Sequence, residues 1–234
     1  MKRILTIAAV NLAAVGAWAQ VYTTNSYNLT STGTAAIPDG NLAGVMETFN
    51  VSGVGSLQSI ANVQLSLDIA GGYNGDLYAY LTGPGGQLAV LLNRVGVSQS
   101  ANNLTGYANP GFYVTFDDAG LNIHGYGNTP PVNGNGQVTG TWAPDGRNIN
   151  PQSTPGVFDS ASTAANFAVF NGLNNGSLNG SWTLFLADVV ADGFAPTLNL
   201  NDATLTITTV PEPQTMALAI SGGLVLLAAT RRRR

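Results

Sequence analysis

The chain has no cysteine and a single histidine among its 234 residues. Without cysteine no disulfide can staple the fold, so stability must come from a core, a bound metal or contacts with surrounding material. One histidine cannot build a His-rich zinc site, and cysteine ligands are lacking. That residue, in Asn122-Ile123-His124-Gly125-Tyr126, is also the only candidate general base for a Ser-His-Asp triad, and no Gly-x-Ser-x-Gly elbow accompanies it. It reads as a loop histidine satisfied by solvent. Basic side chains are scarce as well. Of eight, Lys2, Arg3 and Arg231 to Arg234 lie at the chain ends, leaving Arg94 and Arg147 against eleven carboxylates from Asp39 to Asp202. A body with nine negative charges in excess excludes nucleic acid and anionic membrane surfaces as partners.

What charge there is at the ends has a pattern. Lys2-Arg3 precedes an apolar stretch from Ile4 to Val15, and Ala17-Trp18-Ala19 before Gln20 is an A-x-A cleavage site, so residues 1–19 read as a signal peptide cut between Ala19 and Gln20. At the other end Val210-Pro211-Glu212-Pro213 leads into an apolar stretch, Met216 to Thr230, and then Arg231-Arg232-Arg233-Arg234. A span of about 30 Å of hydrocarbon needs about 20 apolar residues. The segment is therefore a short hydrophobic helix suited to transient membrane insertion, with its arginines on the cytoplasmic side. Pro211, Glu212, Pro213 and the terminal arginines together resemble the PEP-CTERM sorting signal of exported bacterial proteins. The resemblance implies secretion, recognition of the motif by a membrane exosortase, and release of the body to the cell surface or an extracellular polymer matrix.

Residues 20–209 then form the working body, long enough to bury a core alone. Val63, Leu65, Leu67 and Ile69 alternate with Asn62, Gln64, Ser66 and Asp68; Leu77, Ala79 and Leu81 alternate with Tyr78 and Tyr80. Similar alternation marks Phe112/Val114/Phe116, Trp182/Leu184/Leu186 and Ala203/Leu205/Ile207, with a further strand at 87–92. Short strands joined by Gly- and Asn-rich turns predict an all-β antiparallel sandwich. The stretch 120–155 shows little alternation and reads as a functional loop or ordered insertion. Trp182 is expected in the core, and Trp142 to pin that insertion or make a contact. Tyr73, Tyr78, Tyr80, Tyr107, Tyr113 and Tyr126 are expected in turns or on outer strand faces, where sugar rings stack. Five Asn-x-Ser/Thr sequons, at Asn28, Asn50, Asn103, Asn175 and Asn179, are chance matches in an Asn- and Thr-rich chain.

The body resembles a second family. Ile37-Pro38-Asp39, the strand 63–69 running into Tyr73-Asn74-Gly75-Asp76-Leu77, Leu81-x-Gly-Pro-Gly-Gly86, Phe170-Asn171-Gly172 and Gly180-Ser181-Trp182-Thr183-Leu184 with Asp188 to Gly193 are similar, in that order, to the P domain (P/Homo B) of proprotein convertases. That resemblance implies a jelly-roll β-sandwich without catalytic activity. The family's usual histidine at the start of the turn is replaced by Gly71.

Ten of the eleven body carboxylates are aspartates, short oxygen ligands suited to Ca²⁺. Asp68 and Asp76 flank a turn, Asp117 and Asp118 end a strand, and Asp188 and Asp192 flank another turn, so several are expected to converge at one end of the sandwich as a calcium site. Asp117 and Asp118, adjacent in a strand, face opposite ways and do not form a catalytic pair. Three functions remain open: a non-catalytic structural or adhesive protein, a module binding matrix polysaccharide, and a domain working in trans with a subtilisin-like protease.

Overall fold

The computed structural model describes residues 21–31, 33–193 and 198–212, and within them the chain is a two-sheet β-sandwich. One sheet orders β1 (Thr23–Asn28), β10 (Leu198–Pro211), β4 (Gln58–Ala70), β7 (Gly111–Asn122) and β8 (Val138–Ala143), with β2 (Ala35–Ile37) also paired to β10. The other orders β3 (Val45–Val51), β9 (Gly180–Asp188), β5 (Leu77–Thr82) and β6 (Leu88–Asn93). The signal segment ending at Ala19 and Gln20, and everything from Pro213 through Arg231 to Arg234, lie outside the described residues. Among the described residues no helix is long and apolar enough to cross a membrane.

The alternation read from the sequence sets which face is inward. Val63, Leu65, Leu67 and Ile69 of β4 are buried, and Leu65 sits opposite Leu205 of β10 on one side and Phe116 of β7 on the other. From the second sheet Phe49, Leu77, Leu81, Trp182 and Leu184 close on the same core. Phe170 packs on Trp182 with ring centroids 4.8 Å apart.

Three expectations are corrected. The stretch 120–155 contains a strand, β8, and it runs parallel to β7, so the sandwich is not wholly antiparallel. A parallel partner requires a crossover, and residues 123–137 supply it. Gly140 in the middle of this edge strand, at φ +109°, interrupts the pattern that would have marked it. β10 extends to Pro211, past the expected end of the body at 209. Tyr126 is not on an outer face: it is buried between Tyr107 and Phe112, and its hydroxyl donates to Asn109 Oδ1 at 3.0 Å. Trp142 does anchor the insertion, packing against Tyr126 with its indole N–H on the Thr139 carbonyl at 3.0 Å.

Candidate functional site: an acidic corner and a buried histidine clamp

The turn between β4 and β5 builds the acidic corner. Asn74, fully buried, ties it to β7: its Nδ2 donates to Gly111 O at 3.1 Å and its Oδ1 accepts from Gly111 N–H at 2.9 Å. Gly75 follows because the 94–110 loop passes so close that a Cβ there would stand 2.3 Å from Thr105 O. Leu77 enters the core. These constraints leave Asp76 turned into a corner cavity of about 240 Å³ with Tyr73, Arg94, Tyr107 and Asp192 on its walls.

Strand pairing brings in the second carboxylate. Leu77 pairs with Asp188, and Val189 N–H donates to Asp76 O at 2.9 Å. Asp76 and Asp188 are 6 % and 1 % exposed, and Asp39 and Asp192 lie near enough to act on them. Asp188 Oδ1 accepts from Val190 N–H at 3.2 Å. Among the described residues no donor reaches the Asp76 carboxylate; Arg94 turns its Nε to Gly75 O at 3.1 Å instead. Burial first, and then the charge of Asp188, pushes Asp76 up to about 6; burial likewise pushes Asp188 up to about 6, with Asp39 and Asp192 adding to it.

The six aspartates singled out from the sequence therefore divide. Asp76, Asp188 and Asp192 meet at this corner, joined by Asp39. Asp68 accepts from Gln137 Nε2 at 2.7 Å on the outer face of the large sheet. Asp117 accepts from Gln64 Nε2 at 2.6 Å and from Ala119 N–H, whereas Asp118 turns the other way to accept from Phe167 N–H at 3.0 Å. Among the described residues no three His, Asp or Glu side chains stand close enough together to hold a metal ion between them.

His124 departs from the sequence expectation. It is not a solvated loop residue but buried, with Nδ1 2.6 Å from Asp145 Oδ2 and Nε2 3.1 Å from Val97 O. Asp145, fully buried, also accepts from Arg147 Nη1 at 3.0 Å, and Arg147 Nε donates to Phe158 O at 3.0 Å. Asn93 adds Nδ2 bonds to the carbonyls of Arg147 and Ile149. This clamp pins residues 145–158 over β6, whose free edge they close: Asp145 and Gly146 donate to Leu91 O and Val90 O. Sequence reasoning missed Asp145 and Arg147, although an Asp two residues before the only arginine but one in the body was a visible signal.

Comparison with known proteins adds little to this. No family model and no curated protein matches the chain. Among solved structures it is similar to the serine protease of Aeromonas sobria, determined alone and in complex with a chaperone. Each match has 16 % identity and a TM-score of 0.39 and covers 81 % of this chain and 27 % of that one. The chain thus spans about a quarter of the length of those solved chains.

Proposed function

We propose that the protein is an exported, non-catalytic β-sandwich of P/Homo B-like type, processed at its C-terminal motif and displayed at the cell surface or in an extracellular polymer matrix as a structural or adhesive component. The observation that carries the non-catalytic reading is the commitment of the only histidine: both ring nitrogens of His124 face acceptors inside the fold, and among the described residues no serine hydroxyl bonds to either. Support for the P-domain likeness comes from the Tyr73–Leu77 turn, in which Asn74 ties the turn to β7, Gly75 fits under Thr105 O and Leu77 enters the core. Support for export remains the order of the terminal segments. The test is mass spectrometry of the native protein from fractionated cells. Protein in the surface or matrix fraction, beginning at Gln20 and ending before Arg234, agrees with the reading; an intact chain in the cytosol overturns it.

In that setting the acidic corner is proposed to take up Ca²⁺. Among the described residues no donor reaches the buried Asp76 carboxylate, which stands beside that of Asp188, and a divalent cation would relieve their repulsion. The pair would supply carboxylate oxygens, with backbone carbonyls completing a ligand set that calcium accepts.

A further inference from the structure

The outer face of the large sheet carries a cleft of about 560 Å³ that no function described so far uses. Strand register places its side chains in two rows across four neighbouring strands. Thr204, Ser66, Thr115 and Thr141 form one row, and Asp202, Asp68, Tyr113 and Thr139 the next. With neighbouring strands about 4.8 Å apart, each row spans roughly 14 Å. The turn 131–137 walls one side: Thr139 N–H donates to Pro131 O at 2.9 Å, and Gln137 Nε2 holds Asp68 in place.

Tyr113 is 60 % exposed, whereas Tyr78 and Tyr80 are half-buried around Phe185 and Tyr126 is buried. A flat aromatic face beside a ladder of short hydroxyls offers the C–H face of a sugar a stacking surface and its hydroxyls both donors and acceptors. Asp68 and Asp202 add charged acceptors, which make the stronger bonds to hydroxyl donors. Among the described residues no basic side chain lines the cleft, and its two aspartates repel anionic polymers. A protein partner fits poorly, because interface centres are rich in aromatic residues and depleted of charge, and here one tyrosine stands among two carboxylates and five hydroxyls.

We infer that this cleft binds a neutral polysaccharide chain laid across β10, β4, β7 and β8. The inference rests on the proposed non-catalytic, matrix-associated role and gives it a ligand class. Native affinity electrophoresis of the full chain through gels containing xylan, galactomannan or hydroxyethyl cellulose tests it, with alginate gels alongside. Retardation by at least one neutral polymer and not by alginate is expected. Tyr113→Ala should weaken it about tenfold, and Thr115→Ala with Thr141→Ala should weaken it further, while the melting temperature stays that of the parent. Met46→Ala, an exposed change on the opposite sheet, should leave binding intact. Retardation by alginate alone, by none of the polymers, or undiminished in Tyr113→Ala overturns the inference. Because the assay uses purified protein, cytosolic localisation would sink the export reading without touching this result.

Discussion

Asp76 shows what one residue costs the fold. Its carboxyl titrates near 3.8 in an unfolded chain and is pushed up to about 6 in the folded one, as is that of Asp188. The folded state therefore binds more protons between about pH 4 and 6, so stability falls as pH rises through that window. Each shift corresponds to at most about 3 kcal/mol. Asp76→Asn removes one charge of the pair, and in chelator at pH 7.5 it should raise the melting temperature, while at pH 4 the variant and parent should converge. Millimolar Ca²⁺ should raise the parent's midpoint and not the variant's, since a ligand bound only by the folded state stabilises in proportion to its occupancy. A parent midpoint indifferent to both calcium and chelator would remove the cation site. Asp145 has the opposite character: it is buried but fully partnered, by His124 and Arg147. Asp145→Ala leaves both partners facing a gap and should cost about 3–5 kcal/mol, read as a lowered midpoint in thermal unfolding.

Among elements, β4 is demanding because it is paired on both sides and its inward face is core. Leu65→Asp places an unpaired charge opposite Leu205 and Phe116 and should cost upwards of 4 kcal/mol. Ser66→Asp, one residue on and exposed, should cost less than about 1 kcal/mol; equal losses in denaturant melts would contradict the register. β4 was legible because its alternation is unbroken for seven residues. β8 was not, because an edge strand has one partner, its outer residues are threonines, and Gly140 removes a side chain where the pattern needed one. β6 is intermediate. Buried on both faces from Ala89 to Asn93, it loses the period-two signal because residues 145–165 cover it, with Val90 donating to Ala165 O at 2.7 Å.

At the scale of the molecule, the sites were less legible than the sheets because they are assembled from distant segments. Asp76 was visible in its turn, yet its neighbour across the corner, Asp188, is set by the pairing of β5 with β9. The cleft needs β10, β4, β7 and β8 in order, and nothing local announces that Ser66, Thr115 and Thr141 stand abreast. The same long-range logic governs folding. Among the described residues β10, the last strand, lies between β1, the first, and β4. It buries Leu198, Leu200, Ala203, Leu205 and Ile207 in the core. The large sheet is therefore incomplete until residues 198–211 arrive, and contacts of this sequence separation make folding slow, on the order of milliseconds to seconds or longer. Pro211 still pairs with Gln58, and Glu212 N–H still donates to Leu57 O at 2.9 Å. Pro211 and Glu212, the first two residues of the Pro-Glu-Pro motif, are thus the half-buried end of the sheet. A chain ending at Glu212 should consequently keep a cooperative thermal transition close to that of the longer protein. One ending at Gly193 should lose it, leaving β4 with an open edge and the core without those five side chains. A cooperative melt of the shorter chain would show that β10 is an accessory to the sandwich and not its closing strand.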